Sequence, residues 1–162
     1  MKSLLLVRHG KSSWEYVVKD KERPLKTRGE NDSLLVANAL NTHQITIDKI
    51  LSSTAKRAHS TCKIFCKTLN YDENEVVKMD DIYDFGGENV ISTIKALKNN
   101  LNTVMIFGHN HAFTSISNIF GSVFIDNLPT SGLVKINFEI DNWNAIGQGI
   151  TEFIITPKEL KE

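Results

Sequence analysis

Residues 2–10, KSLLLVRHG, decide the fold. Leu4, Leu5, Leu6 and Val7 follow one another with no polar residue between them. A strand with one wet face alternates apolar and polar side chains; an unbroken apolar run is how a strand buried on both faces reads. Arg8, His9 and Gly10 then close the run with two polar side chains and a turn-forming residue. Residues 103–111, TVMIFGHNH, repeat the pattern and end in Gly108, His109, Asn110 and His111. Residues 49–52, KILS, form a shorter third run that leads into Ser53, Thr54, Ala55, Lys56 and Arg57.

Helical periodicity fills the intervals. Thr27 and Glu30 have the spacing of a capping box, and Leu34, Ala37 and Leu40 follow on one face. A second helix is expected to open at Ser53 or Thr54, with Ala58, Cys62, Phe65 and Leu69 as its apolar stripe. A third carries Val90, Ile91, Ile94 and Leu97. A fourth opens after His109 with Phe113, Ile116 and Phe120, and Gly121 suits its C-cap. Beyond it Val134, Ile136, Phe138 and Ile140 alternate with Lys135, Asn137 and Glu139, which predicts a half-exposed strand. Residues 150–156 can pair beside it after a turn at Asp141 and Asn142. The whole predicts an α/β fold of three layers, αβα, with a mainly parallel central sheet and an antiparallel edge.

The chain has 162 residues, which suits a single domain spanning 1–162. Hydrophobic residues make up 41% and charged residues 23%, so the chain can build a core and disorder is not expected. Nineteen basic residues balance nineteen acidic ones, which argues against a nucleic-acid partner. No apolar stretch approaches the ~20 residues of a membrane span, and Leu4 to Val7 is too short for an export signal. Cys62 and Cys66 are the only cysteines and stand one helical turn apart. Two reduced thiols fit a cytoplasmic protein, and a monomer is the simplest expectation.

In open α/β sheets, ligands bind beyond the carboxyl ends of the strands. Three such ends bring Arg8 and His9, Arg57, and His109 to one edge. Arginine offers a planar fork of donors that matches phosphate oxygens. Arg57 would also lie in the first turn of a helix, where backbone N–H groups favour an anion. Histidine can carry a phosphoryl group covalently, and Gly10 lets the backbone turn sharply after His9. The set fits phosphoryl transfer through a phosphohistidine. Any one of these residues alone reads as a solvated strand end or a core histidine; their joint position carries the inference. A metal site is the competing reading, with His9, His109 and His111 as three imidazoles, but Arg8 and Arg57 would crowd the cation. No metal or other cofactor is therefore expected.

These residues resemble the histidine phosphatase superfamily, with its phosphoglycerate mutase-like fold. The marks are Arg8-His9-Gly10, the stretch from Ser52 to Thr61 containing Arg57, Ala58 and Thr61, and Gly108-His109. Arg23-Pro24-Leu25 followed by Gly29, Asn110 after His109, Trp143 and the small size are similar to the branch named for the phosphohistidine phosphatase SixA. The resemblance implies that His9 is the nucleophile, that Arg8 and Arg57 bind the phosphoryl oxygens, and that His109 stabilises the transferring group. It implies that Arg23 reaches the same pocket. Larger members protonate the leaving group with a carboxylic acid, for which Asp84 and Glu88 are the candidates here. His111, where the branch commonly has proline, is a third possible donor. The implied substrate is a phosphorylated protein side chain, phosphohistidine first, or a small phosphate ester. The alternatives are a small-molecule phosphomonoesterase or mutase of the same superfamily, and a phosphate-binding module without turnover.

Overall fold

The computed structural model describes residues 1–162. Six strands form one sheet: β1 (Lys2–Arg8), β2 (Lys49–Ser53), β3 (Val77–Met79), β4 (Thr103–Gly108), β5 (Leu133–Phe138) and β6 (Ile150–Ile155). Their order across the sheet is β3-β2-β4-β1-β5-β6. The first four are mutually parallel, β5 pairs antiparallel with β1, and β6 pairs antiparallel with β5 at the edge. Five helices cover it: α1 (Thr27–Asn41), α2 (Lys56–Leu69), α3 (Glu88–Lys95), α4 (Ala112–Phe120) and α5 (Pro157–Lys161). This is the expected three-layer αβα arrangement. No helix is long and apolar enough to cross a membrane.

The apolar run of β1 explains the layers. Successive strand side chains point to opposite faces. Leu4 and Leu6 join α3 and α4 residues Val90, Ile94, Phe113 and Ile116 in one core. Leu5 and Val7 join α1 and α2 residues Val36, Leu40, Cys62 and Phe65 in the other. All four β1 side chains are fully buried.

Several expectations need correction. The Thr27–Glu30 capping box does not form: Lys26 is the N-cap and no side chain caps the helix. The start of α1 is set by tertiary contact, since Lys26 N–H donates to the Lys11 carbonyl at 2.8 Å. Leu34 is exposed, and Val36 takes its place in the stripe. Helix α2 opens at Lys56 because Ser53 remains in β2, paired with Met79. Strand β3 went unread because three largely exposed residues carry no periodicity. Strand β5 is covered on both faces. Lys135 is buried, and its Nζ satisfies itself on Glu152 Oε1 at 3.0 Å.

Candidate active site

The parallel strands deliver their carboxyl ends to one place. Backbone Arg8 pairs with Gly108 in register, so His9 and His109 leave adjacent strands side by side. Their ring centroids are 5.3 Å apart. His9 is held rigidly: its N–H donates to the Gly108 carbonyl and its carbonyl accepts from Ser131 N–H, both at 3.0 Å. The loop after it packs backbone against backbone. A Cβ on Gly10 would lie 2.8 Å from the Gly29 carbonyl oxygen, and one on Gly29 only 2.2 Å from that of Lys11. Both positions therefore need glycine. Gly10 N–H donates to Thr61 Oγ1, which in turn donates to the Arg57 carbonyl, each at 2.9 Å. Thr61 thus ties the β1 turn to the first turn of α2.

Hydrogen bonds assign the imidazole protons. His9 Nδ1 lies 2.7 Å from the Gly10 carbonyl oxygen, which can only accept. Nδ1 carries the proton and Nε2 carries the lone pair. Ser53 Oγ accepts from Ala55 N–H at 3.1 Å and lies 2.8 Å from His109 Nε2. His109 Nε2 is the acceptor in reach of the Ser53 hydroxyl proton, which leaves the proton of His109 on Nδ1. Burial depresses the pKa of His9 to about 3, reinforced by the charges of Arg57, Arg8 and Arg23 against the bond to Gly10. His109 is likewise depressed to about 3, by burial first and then by His9 and Arg57. Both rings are neutral near pH 7.

The arginines surround His9 in a cleft of about 260 Å³ lined by Arg8, His9, Ser12, Asp20, Arg23 and Arg57, with Lys11, Trp14, Phe85 and Thr130 at its walls. Arg57, ordinary as a surface helix residue, is only 2% exposed. Arg8 Nη1 donates to the Leu128 carbonyl at 2.8 Å. Arg23 donates through Nε to the Ser13 carbonyl at 3.2 Å and through Nη2 to Ser12 Oγ at 2.5 Å. Its guanidinium carbon sits 3.3 Å from the centre of the Trp14 ring. Four buried side-chain polar atoms lack a hydrogen-bond partner, and three of them are Arg8 Nε, Arg57 Nε and His109 Nδ1. Folded proteins rarely leave such atoms unmatched except where a ligand or water belongs.

The nominated proton donors lie elsewhere. Asp84 accepts from the backbone N–H groups of Gly86, Gly87, Asn89 and Val90, at 3.0–3.2 Å, and so caps α3. Glu88 is exposed in the first turn of α3. His111 is exposed at the N-cap of α4. None of the three lines the cleft. Nor does His111 join His9 and His109 in a metal-binding cluster. A larger groove of about 820 Å³ between α1 and α2 contains none of the nominated residues.

Two residues of the site escaped the sequence reading. Asp20 sits in a short 3-10 turn within Lys19-Asp20-Lys21-Glu22, outside every motif of the sequence. Its carboxylate faces Arg57, Arg23 and Tyr83. Burial raises its pKa, but the hydrogen bonds from Tyr83, Arg57 and Arg23 outweigh that and hold it well below the usual carboxylate range. Tyr83 packs edge-on against His109 with centroids 5.3 Å apart.

Residues 4–89, just over half of the chain, match the profile of the histidine phosphatase superfamily (branch 1). The chain belongs to that superfamily. As a histidine phosphatase it is a hydrolase of the phosphatase type. An uncharacterized protein of Mycobacterium leprae is 28% identical over 144 residues, covering 81% of this chain and 86% of its own. An uncharacterized chloroplastic protein of Arabidopsis thaliana is 29% identical over 75% of this chain and 60% of its own. Among solved structures, the protein histidine phosphatase SixA complexed with tungstate superposes with a TM-score of 0.82 at 21% identity, covering 98% of this chain and 99% of that one. A SixA structure from Agrobacterium tumefaciens gives 0.81 at 24% identity over 96% of this chain and 98% of that one. At these identities the likeness is one of fold, the phosphoglycerate mutase-like fold that this histidine phosphatase shares.

Proposed function

We propose that this histidine phosphatase removes phosphoryl groups from phosphohistidine in proteins, without a metal, through a phosphohistidine on its own His9. The observation that carries the reading is the cleft in which Arg8, Arg23 and Arg57 converge on a neutral, fixed His9, with the His109 ring 5.3 Å from it. His9 Nε2 attacks phosphorus as the bond from phosphorus to the leaving atom breaks. The bonding pair departs with the leaving group. Arg8, Arg57 and His109 donate to the three equatorial oxygens, where negative charge is spread. Water then attacks the phosphorus of the phosphoenzyme, the bond to Nε2 breaks, and inorganic phosphate leaves. The arginines supply the positive charge that a metal would otherwise bring.

The preference for phosphohistidine rests on the missing acid. Asp20 is the carboxylate in the cleft, and three donors keep it ionised. An alcohol leaves poorly without a proton, whereas an imidazole can depart already protonated. The wild-type protein is expected to hydrolyse phosphohistidine and activated aryl phosphates much faster than phosphoserine or sugar phosphates. A quench during turnover should trap acid-labile phosphate on the peptide containing His9, and His9→Ala should lose both the adduct and turnover while remaining folded. Retained activity in that variant, or equal cleavage of unactivated alkyl phosphates, would sink the reading.

A further inference from the structure

Asp20 belongs to none of the motifs that mark the site, yet it bonds to three side chains of it, from three separate segments. Its backbone carbonyl accepts from Arg57 Nη1 at 2.6 Å and its Oδ2 from Arg57 Nη2 at 2.9 Å. Its Oδ1 accepts from Arg23 Nη1 at 3.1 Å, and Oδ2 also accepts from the Tyr83 hydroxyl at 2.5 Å. One residue thus joins the loop before α1, the first turn of α2 and the loop before α3. We propose that Asp20 is the positioning carboxylate of the phosphoryl site, and that it sets the affinity for phosphate so that the product can leave.

Two arguments support this, and both rest on reading the cleft as a phosphoryl site. The first is geometric. Asp20 grips the two terminal nitrogens of Arg57, whose Nε is buried and has no partner within the protein. An arginine held at its outer edge presents a fixed inner edge, and little ordering is left to do when the anion arrives. The second is electrostatic. Arg8, Arg23 and Arg57 line the cleft with one opposing carboxylate, apart from the exposed Lys11 at its wall. Three guanidiniums less one carboxylate leave two positive charges, the match of a phosphate dianion. Without Asp20 the cleft would carry a third. Arg23 and Arg57, 7% and 2% exposed, would turn their freed donors to the anion, where such contacts are strong.

The test is inhibition by inorganic phosphate at pH 8, with kcat and KM for an aryl phosphate measured alongside. Asp20→Asn removes the charge at nearly constant shape. It should lower Ki for phosphate by about tenfold or more, and lower kcat and KM together as the product lingers. Asp20→Glu keeps the charge but displaces it by one methylene. It should hold Ki within about threefold of the wild type while kcat falls, since Arg57 is shifted. Asp20 is partly exposed on a loop, and melting curves of both variants will report any loss of fold. An unchanged or raised Ki in Asp20→Asn would overturn the proposal and leave Asp20 as a pin for its loop. A wild-type protein that phosphate does not inhibit would overturn the reading of the cleft itself, a different result from equal inhibition of wild type and variant.

Discussion

His9 and His109 are buried, 8% and 0% exposed, and both hold their neutral form far below the ordinary titration of imidazole. Neutrality is what a nucleophilic Nε2 requires. It also couples stability to pH. The unfolded chain protonates these rings near pH 6.5, while the folded chain resists until about pH 3. Between those values the unfolded state binds more protons, so stability present above pH 6.5 is lost as the pH falls. Each ring contributes at most about 1.4 kcal/mol per pH unit in that window. The urea midpoint should therefore drop between pH 7.5 and pH 5, and replacing both histidines with asparagine should flatten most of that slope. An unchanged slope in the double variant would mean that the rings titrate normally in the folded protein.

At the scale of elements, the first turns of α3 and α4 are supported by side chains from nearby in the chain. Asn110 Oδ1 accepts from both the N–H and the hydroxyl of Thr114, at 3.0 and 2.8 Å, and so steadies the first turn of α4 beside His109. Asp84 does the same for α3 through four backbone N–H groups. Removing such a cap costs about 1 kcal/mol. Asp84→Ala is expected to lower the unfolding free energy by about that amount, while kcat/KM for phosphohistidine falls by much less than the ~10²-fold or more of an essential general acid. Thermal denaturation and steady-state kinetics on one preparation separate the two roles. A stable variant with collapsed activity would return Asp84 to the chemistry.

The whole molecule is a sheet with a core on each face, and β1 runs through its interior contributing to both. Leu4 lies at 0% exposure in the core shared with α3 and α4, and Leu5 at 0% in the one shared with α1 and α2. Truncation of a buried leucine to alanine costs about 2–5 kcal/mol through lost burial and the cavity left behind. Leu4→Ala and Leu5→Ala should each cost an amount in that range. The denaturant transition should stay single, because one strand couples the two layers. Two separated transitions in either variant would show that the faces unfold independently.

The sequence by itself determined the layer arrangement and which strand ends meet at one edge of the sheet. Short unbroken apolar runs that alternate with amphipathic helices read as strands covered on both sides, and parallel strands put their carboxyl ends at one edge. That logic brought Arg8, His9, Arg57 and His109 together without coordinates. It failed where a residue's role depends on a distant partner. Thr27 and Glu30 had the right spacing for a cap, but contacts with Lys11 fixed the start of α1 instead. Asp84 had the right chemistry for an acid, but the fold turned its carboxylate onto the backbone of its own helix. Asp20 stands in no motif because its partners lie 37 residues away at Arg57 and 63 at Tyr83. Periodicity records which face of an element meets the core. It does not record which charged side chain meets which, since ion pairs and caps are short-range and directional, and only the packed chain brings their partners within reach.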